Sequence, residues 1–417
     1  MGTTVTQRRM DITSSRGGCG HGSDLCEAEP HDLHLNPLLQ KIETRSLLAG
    51  VVGLGYVGLP LAQLFISRGF RVLGLDIDQN KTGKLMRGES YIGHIPSSMV
   101  RQMRANDRLV ATSDFSCVSR ADTLSICVPT LLDKARQPDL TAVRNTTESL
   151  VPHLRPGQLV VLESTTYPGA TSEVVLPILR RSGLKIGEEI FVAYSPERED
   201  PANPHFTART IPKVVGANDS ASRRAIEAFY GAAFDRIVPV SSCEAAGGHC
   251  IPIDPFYLSW KAREYDFATR FIELAGEVNT EMPYNVVTRV AEHLNARGIP
   301  TSAARLLVLG LAYKKNVDDC RESPPIKILK LLADRGIDLS CFDPHVSGYV
   351  SHRYGALPGV ELPELSDVAL GAADATLILT DHDAFDYERI VRLSAAVIDT
   401  RNATRNVAAD RDKVNLA

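Results

Sequence analysis

The sequence lacks several features that would mark a specialised class of protein. Aromatic residues make up 6% of its 417 positions, with a single tryptophan. No apolar run approaches the roughly 18 residues that a membrane helix needs. The opening MGTTVTQRRMDITSS has no apolar segment after its arginines, as a signal peptide would have. The net charge is −4 and no basic stripe suggests nucleic acid, so we expect a cytoplasmic globular protein.

The eight cysteines are scattered along the chain and do not resemble a disulfide framework. We therefore expect reduced thiols, one of which could be chemically active. Residues 1–45 are rich in Gly, Ser, Thr, His and charge without periodicity, which predicts a disordered extension. Its metal-ligand types have only loosely finger-like spacing, so we expect no metal site; they are Cys19, His21, Cys26, His31 and His34.

The remainder alternates apolar strand-like runs with helix-like stretches, as in βαβ units. We predict an α/β protein with two Rossmann-like domains on parallel sheets, joined by a central helix. The predicted boundaries are 46–242, 243–298 and 299–417. In the central region an apolar stripe at helical spacing is explained by burial in a core; its members are Phe267, Phe271, Leu274 and Val278.

A glycine-rich turn follows the first apolar strand. Gly53, Gly55 and Gly58 form GLGYVG between a strand and a helix, a pattern that fits a dinucleotide pyrophosphate at the helix N-terminus. Asp76 closes the second strand, where it could bond a ribose hydroxyl and would repel a 2′-phosphate. We therefore predict NAD rather than NADP. Lys81 could lie near the adenosine end or be a solvated surface lysine.

The run GGHCIPIDP contains one thiol among polar neighbours. Cys250 follows a flexible glycine pair, with His249 beside it and Asp254 close by. A thiolate needs polar or cationic surroundings to form near neutral pH. The residues alone leave a nucleophile, a ligand and an inert core residue open. Together with a dinucleotide site, the nucleophile would allow oxidation through a hemithioacetal to a thioester.

Seven motifs together resemble the UDP-glucose/GDP-mannose dehydrogenase family. They are GLGYVGLPLA, CVPT, ESTTYPGAT, YSPERED, GGHCIPIDPFYLSWKA, LGLAYKKNVDDCRESP and FDP, and they extend from about Leu47 to Asn402. YSPERED and IPIDPFYLSWKA look more like the UDP-N-acetylhexosamine 6-dehydrogenases than the UDP-glucose enzymes. The resemblance implies two hydride transfers to NAD that convert a C6 alcohol to a carboxylate for polysaccharide precursors.

The resemblance also implies roles for single residues. Cys250 matches the nucleophile, Asp254 an assisting carboxylate, Glu197 an acid acting through a water, and Thr130 the residue that positions this water. The implied NAD contacts are Gly53, Gly55, Tyr56, Val57, Gly58, Asp76, Lys81, Pro129 and Thr130. The implied UDP-sugar contacts are Lys314, Arg321 and Arg401, which could instead form surface salt bridges.

One segment of the family pattern is absent here. In the family, a long helix with a lysine and an asparagine separates the strand like RIVPVSS from GGHCIP, whereas here Glu244 is followed almost at once by Gly247. The resemblance implies that this lysine stabilises an oxyanionic intermediate, and losing such a group costs on the order of 100-fold in rate. The resemblance also implies a homodimer that this helix helps to form, so its absence would weaken the dimer. The alternatives are therefore an impaired member that binds NAD or UDP-sugar and, outside the family, a dinucleotide-sensing module.

Overall fold

The computed structural model describes residues 32–93, 95–133, 137–197, 209–246, 254–320, 323–348, 350–351, 355–356 and 358–417. Two α/β units follow one another, each with its own sheet, and helices connect them. This confirms the predicted fold class. None of the described helices is long and apolar enough to cross a membrane.

The N-terminal unit is built on an eight-stranded sheet in the order β10-β9-β8-β7-β4-β1-β2-β3. Its strands are β1 Leu48–Val52, β2 Arg71–Leu75, β3 Leu109–Thr112, β4 Thr123–Ile126, β7 Gln158–Leu162, β8 Ile190–Tyr194, β9 Lys213–Ala217 and β10 Ile237–Val240, with a separate hairpin of β5 Leu131–Leu132 and β6 Pro138–Asp139. Its helices are α1 Asp32–Glu43, α2 Gly58–Ser67, α3 Gln79–Arg87, α4 Ser97–Arg104, α5 Thr141–Leu150, α6 Leu176–Leu179 and α7 Ser220–Ala233.

One pair in this sheet departs from the predicted parallel arrangement. β8 and β9 are antiparallel, with Tyr194 opposite Gly216. All the other pairs in the sheet are parallel. As a consequence, the start of β9 lies at the edge where β8 ends.

The disordered extension predicted for residues 1–45 is wrong for its last part. Asp32–Glu43 forms α1, while residues 1–31 lie outside the described residues. Leu35, Leu38 and Ile42 recur at helical spacing and are buried in the N-terminal core with residues of α7. The prediction failed because the polar composition of residues 1–45 as a whole outweighed these three apolar residues. His34 is part of the helix.

Two helices lead from the N-terminal to the C-terminal unit: α8 Asp254–Arg263 and α9 Arg270–Ala296. Val286, Val287, Val290 and Leu294 of α9 pack into the C-terminal core. The predicted burial of the earlier stripe is wrong, because its side chains are 52–88% exposed; these are Phe267, Phe271, Leu274 and Val278. Only the second half of α9 has a described partner surface for its apolar face.

The C-terminal unit has a six-stranded parallel sheet in the order β15-β12-β11-β16-β17-β18. Its strands are β11 Arg305–Leu309, β12 Asp338–Phe342, β15 Val360–Glu361, β16 Ala375–Ile378, β17 Val397–Asp399 and β18 Val414–Leu416, with a hairpin of β13 Val350–Ser351 and β14 Gly355–Ala356. Its helices are α10 Pro324–Ala333, α11 Asp367–Ala372 and α12 Tyr387–Leu393. In both sheets the strand order reverses beside the first strand, which is where α/β sheets hold ligands.

Candidate active site

The glycine turn after β1 has the geometry that a dinucleotide cradle needs. Gly53 has φ +91°, which favours glycine. A Cβ on Gly58 would lie 1.8 Å from the Gly53 carbonyl oxygen, so only glycine lets α2 pack on the turn. At Gly55, by contrast, a Cβ would meet no described atom within 4 Å. The turn therefore leaves space where a pyrophosphate would approach the start of α2, and its residues fit NAD.

Asp76 follows β2 and faces this turn. Its carboxylate accepts hydrogen bonds from the backbone N–H of Leu54 at 2.8 Å and of Asp78 at 2.9 Å. Lys81 Nζ lies 3.5 Å from Asp76 Oδ2, so the two predicted residues are neighbours. Tyr91 donates a hydrogen bond to the Leu54 carbonyl from the other side. The turn is thus fixed by hydrogen bonds to an acid and from a phenol.

The CVPT segment lies directly across from the glycine turn. β4 pairs with β1, and the Cβ position of Gly53 lies 2.6 Å from the Cys127 carbonyl oxygen. Ser164, which follows β7, donates its hydroxyl to the Val128 carbonyl at 2.7 Å and so ties the next loop to this one. Thr130 is buried and Pro129 exposed. The structure thus brings together the predicted NAD contacts around the β1/β4 crevice.

Glu197 stands at the same edge, just beyond the end of β8. Its N–H donates to the Glu163 carbonyl at 3.3 Å, and its side chain is 16% exposed. Glu197 Oε2 lies 3.5 Å from Lys213 Nζ. The predicted acid is therefore held over a buried cation, with a small part of its surface open.

Cys250 lies outside the described residues, but the residues on both sides of its loop are well anchored. Cys243 and Ala246 before it and Tyr257 after it are buried in one apolar cluster that also contains Tyr167. The Trp260 ring packs 4.9 Å from the Tyr167 ring, centroid to centroid. Asp254 is the first residue of α8. Both flanks therefore rest on the loop after β7, beside the crevice.

Lys261 of α8 is committed to two acids. Its ammonium pairs with Glu173 and lies 2.8 Å from Glu264 Oε2. Its side chain is only 10% exposed. Lys261 lies on the C-terminal side of Cys250, whereas the family lysine precedes the cysteine. Its observed contacts instead hold α8 against the loop after β7.

Three described thiols are poor candidates for a nucleophile. Burial raises the pKa of Cys243 to about 12 and that of Cys341 to about 11. Burial likewise raises the pKa of Cys320, helped by the nearby Asp343 charge. A nucleophilic cysteine needs a lowered pKa, so these three read as core residues.

The C-terminal unit has a second candidate edge. Lys314 follows β11 and is half-buried, while Arg401 follows β17 and lies with its Nε 3.4 Å from Asp381 Oδ1. Arg401 also lines a cavity of about 450 Å³ with Asp381, Asp399, Thr400, Asn402, Leu416 and Ala417. Arg321 lies outside the described residues. The two described cations thus occupy the carboxyl edge of one sheet.

The loop that carries Lys314 is held from below by Asp343 and His382. Asp343 Oδ2 accepts the backbone N–H groups of Leu311 and Ala312 at 2.6 and 3.0 Å. His382 Nδ1 accepts the Asn316 N–H at 2.9 Å, which leaves Nε2–H to donate to Asp343 at 3.0 Å. Burial raises the pKa of Asp343, but these hydrogen bonds outweigh it and the pKa lies below its usual range.

The two units contact each other near these edges. The Gly93 N–H donates to Asp318 Oδ2 at 2.6 Å. A cavity of about 480 Å³ lies between the units, lined by Ser90, Tyr91, Ile92, Gly93, Asp318, His345, Val346, Ser347 and Gly348. Because Tyr91 also contacts the glycine turn, one short segment joins the cradle to the second unit.

Sequence reasoning missed the charged groups beneath Glu197 and the acid beneath Lys314. Glu163 and Lys213 are at most 2% exposed, and Asp343 and His382 are also buried. Two signals were available: Lys213 opens the otherwise apolar strand KVVGA, and Asp343 closes the second strand of its unit as Asp76 does. A charge within or at the end of an apolar strand indicates a buried partner.

Comparison with known proteins covers most of the chain. Residues 48–234, 235–281 and 307–406 match the NAD binding, central and UDP binding domains of the UDP-glucose/GDP-mannose dehydrogenase family. A UDP-N-acetyl-D-glucosamine 6-dehydrogenase of Pseudomonas aeruginosa is 28% identical over 397 residues, covering 82% of this chain and 92% of its own. Since 82% of this chain is fewer than 397 residues, that alignment contains gaps in this chain.

Two further matches agree with these. An NDP-N-acetyl-D-galactosaminuronic acid dehydrogenase of Ralstonia solanacearum is 30% identical over 417 residues, covering 84% of this chain and 95% of its own. The fold resembles the structure of a UDP-D-ManNAc dehydrogenase from Pyrococcus horikoshii, with a TM-score of 0.73, 23% identity, and coverage of 86% and 96%. The chain therefore belongs to the UDP-glucose/GDP-mannose dehydrogenase family of NAD-dependent nucleotide-sugar dehydrogenases.

Proposed function

We propose that this protein oxidises the C6 alcohol of a UDP-N-acetylhexosamine to the carboxylate, in two steps and with NAD, to supply a polysaccharide precursor. The observation that carries the proposal is the crowding of one sheet edge. The glycine turn, Thr130 and Glu197 follow the ends of β1, β4 and β8, and the described residues on both sides of Cys250 are buried in one cluster with Tyr167, which follows β7. Groups that act on the same substrate must lie this close together.

NAD, when bound on the glycine turn, accepts the hydride lost in each oxidation. The Cys250 thiolate adds to the C6 aldehyde and forms a hemithioacetal, whose oxidation gives a thioester. A water held by Thr130 attacks the thioester carbonyl while Glu197 accepts its proton, and the thiolate leaves. One alcohol, two NAD and one water thus give one carboxylate, two NADH and three protons. Asp254 assists from the start of α8, and Lys314, Arg321 and Arg401 hold the UDP part.

The substrate class follows the relatives whose names specify N-acetylated sugars. We expect turnover of UDP-N-acetylglucosamine or one of its epimers to exceed turnover of UDP-glucose. The assay mixes purified protein and NAD with each nucleotide sugar and records NADH absorbance. Turnover of UDP-glucose alone would contradict the assignment to N-acetylhexosamines.

The thiol step has a matched control. Cys250→Ala should prevent the second oxidation, so that no more than one NADH is released for each sugar, whereas Cys117→Ala changes a free, half-buried thiol with no proposed role and should leave the rate unchanged. Wild-type protein should release two NADH for each sugar. Full activity of Cys250→Ala would exclude the covalent mechanism.

A second candidate function is binding without turnover. Only seven residues separate Ala246 from α8, and Lys261 is held by Glu173 and Glu264, so the described residues offer no replacement for the absent lysine. Such a protein would bind NAD and UDP-sugar in a calorimeter and release no NADH. Resequencing the codons for residues 243–247 would show whether the short connection belongs to the gene.

The proposed assembly is a homodimer formed through α9. Phe271, Leu274, Val278 and Met282 are 48–88% exposed, and their spacing of 3, 4 and 4 residues places them on one face of the helix. In an antiparallel pair, Phe271 would face Met282 and Leu274 would face Val278, so this face matches its own copy. This self-complementarity favours a second copy over a different partner.

Size-exclusion chromatography with light scattering tests the dimer. The Leu274→Asp, Val278→Asp variant should elute at the mass of a monomer while the wild type elutes as a dimer. Glu277→Ala, on the same exposed helix, should remain dimeric. A monomeric wild type would exclude this interface.

A cytoplasmic location is part of the proposal. The described cysteines Cys117, Cys127, Cys243, Cys320 and Cys341 are all free, as is usual in a reducing compartment. Fractionation of cells that express the protein should recover it with soluble cytoplasmic enzymes. Recovery with the periplasm or the envelope would contradict this part.

A further inference from the structure

A buried ionic network lies beneath Glu197. We call it the Lys213 network, and it consists of Glu163, Lys213, Tyr230 and Glu197. Glu163 and Tyr230 are fully buried, Lys213 is 2% exposed, and Glu197 is the member that reaches the open crevice. A buried lysine requires partners, since removing an ammonium from water is unfavourable unless it is paired and hydrogen-bonded.

Three acceptors surround the Lys213 ammonium. Its Nζ lies 2.6 Å from Glu163 Oε2, 3.2 Å from the Pro196 carbonyl oxygen and 3.5 Å from Glu197 Oε2. An ammonium has three protons, so each acceptor can take one. Tyr230 donates its hydroxyl to the other oxygen of Glu163. Glu163 therefore orients the ammonium from the buried side. The other two contacts of the ammonium are to Pro196 and Glu197.

The antiparallel strand explains why a lysine lies here. Because β9 runs opposite to β8 and pairs Gly216 with Tyr194, continuing the register by three residues places Lys213 opposite Glu197. Ser195 Oγ, which donates to the Val214 carbonyl at 2.7 Å, supports that continuation. A parallel β9 would have put its first residue at the far edge of the sheet. The departure from a parallel sheet thus delivers a cation to the crevice.

The charges favour a lysine that stays ionised. Burial lowers the pKa of Lys213, but the charges of Glu163 and Glu197 outweigh burial and raise it above its usual value. Burial raises the pKa of Glu163 to about 7, partly opposed by Lys213. Near neutral pH, Glu163 can therefore bind a proton and lose its charge. Lys213 then remains paired with Glu197.

We propose that Lys213 is a positioning residue for Glu197, holding its carboxylate toward the water that attacks the thioester. Lys213 is buried and does not itself contact substrate. This inference rests on the proposed function, in which Glu197 accepts the proton of that water. A lysine that served only to neutralise Glu163 would need no contact with Pro196 or Glu197.

The kinetic test separates the oxidation steps from hydrolysis. Lys213→Met removes the charge and keeps the length of the side chain. On rapid mixing with NAD and substrate, this variant should still give its first burst of NADH. Its steady-state rate should fall about 100-fold, as expected for a displaced catalytic group, and KM should fall with it because slow hydrolysis lets the acyl-protein accumulate. The acyl-protein should accumulate and be visible by intact mass.

Two further variants complete the test. Lys213→Arg keeps the cation and should recover part of the steady-state rate. Lys185→Met removes an exposed lysine that pairs with Glu188, outside the network, and should behave as wild type. If burst and steady-state rate fall in proportion, with no acyl-protein, Lys213 has only a structural role and the proposal is overturned.

A crystal structure separates this inference from the proposed function. If wild-type protein releases no NADH, the proposed function fails, and positioning is then judged from coordinates alone. The Glu197 carboxylate should move away from its wild-type place in Lys213→Met and keep it in Lys213→Arg. An unmoved carboxylate in Lys213→Met would overturn the inference whatever the activity.

Discussion

The two α/β units begin alike and then diverge at the end of the first strand. Gly53 after β1 and Gly310 after β11 both have positive φ, +91° and +84°. Asp76 and Asp343 both follow the second strand and accept the N–H of the residue after that glycine. The same local design therefore fixes both loops.

The difference lies in how much of each acid remains available. Asp76 accepts two backbone N–H groups, from Leu54 and Asp78. Asp343 accepts four, from Leu311, Ala312, His345 and Val346, and also contacts His382. A carboxylate has about four acceptor positions, so Asp343 is saturated by its own chain. Asp76, which also lies 3.5 Å from Lys81 Nζ, keeps acceptor positions that the backbone does not use, whereas Asp343 serves as a support for its loop.

The glycine pattern diverges in the same way. The second and third glycines of the N-terminal turn, Gly55 and Gly58, correspond in order to Ala312 and Lys315 in the C-terminal turn. Ala312 is buried. One turn is open to a pyrophosphate, and the other is filled and followed by lysines. A shared topology therefore carries two turns of different shape.

The largest expected effect comes from Gly58→Ala. Its Cβ would lie 1.8 Å from the Gly53 carbonyl oxygen, so the backbone must shift. We expect a loss of about 4 kcal/mol in the free energy of unfolding, together with loss of NAD binding. Urea denaturation and calorimetry with NAD measure the two. Lys315→Ala, at the corresponding position, is the control; an equal loss there would show that the turns do not differ.

Next comes the pH dependence of stability, which separates the buried acids of the two units. The pKa of Glu163 is raised from 4.5 to about 7, so between these values the folded protein holds a proton that the unfolded chain has released. The unfolding free energy should therefore fall as pH rises through this window, by up to about 3 kcal/mol. Glu163→Gln should reduce this dependence of the unfolding free energy on pH, measured by denaturation curves at a series of pH values from 4.5 to 7.

Asp343→Asn provides the contrast for that slope. The pKa of Asp343 is lowered, so its contribution is present above the unfolded value near 3.8 and is lost as pH falls below it. It adds no slope between pH 4.5 and 7, and the variant should keep the wild-type slope there. An unchanged slope in Glu163→Gln would show that Glu163 does not titrate in this window.

A third prediction concerns Asp343, which supports the loop that carries Lys314. In Asp343→Asn, an amide NH₂ would face backbone N–H donors, so we expect a loss of about 2 kcal/mol in unfolding free energy and weaker UDP binding. Asp76→Asn should instead weaken NAD binding with a smaller loss of stability. Chemical denaturation and calorimetry with UDP and with NAD test both. Equal losses of stability would remove the distinction between an available and a saturated acid.

The smallest effect is expected from Gly55→Ala. Because its Cβ would meet no described atom within 4 Å, the melting temperature should not change. The methyl group would occupy the space of the pyrophosphate, so the Kd for NAD should rise about 10-fold, or about 1.4 kcal/mol. Unchanged NAD affinity would place the cofactor elsewhere. The binding of UDP serves as the internal control.

Much of this architecture could be predicted because local patterns carried it. The GLGYVG turn, Asp76 and the two α/β units follow from short-range spacing, and the structure has them as predicted. The burial of Glu163 and Lys213 could not be predicted, since it depends on the antiparallel direction of β9, which is a long-range property. Composition likewise concealed α1, whose three buried residues stand among polar ones.

The apolar stripe of α9 shows a different limit. Helical spacing predicted that one face would be covered, but not by what. Val286 and Val290 are covered by the C-terminal unit, whereas Phe271 and Leu274 are exposed in the single chain. Periodicity does not distinguish a core from an interface between chains. The roles of Cys250, Asp254 and Arg321 remain predictions that follow from the resemblance.

The helix α1 has a practical consequence for where this protein begins as a folding unit. Lys41 of α1 lies 2.7 Å from Asp122, which also binds Arg155 and the N–H of Leu48 at the start of β1. The family match starts only at residue 48. A gene trimmed to that match would lose a helix that closes one end of the first strand, leaving apolar surface of α7 open to solvent. The stable N-terminal boundary is therefore set by packing, upstream of the region that homology defines.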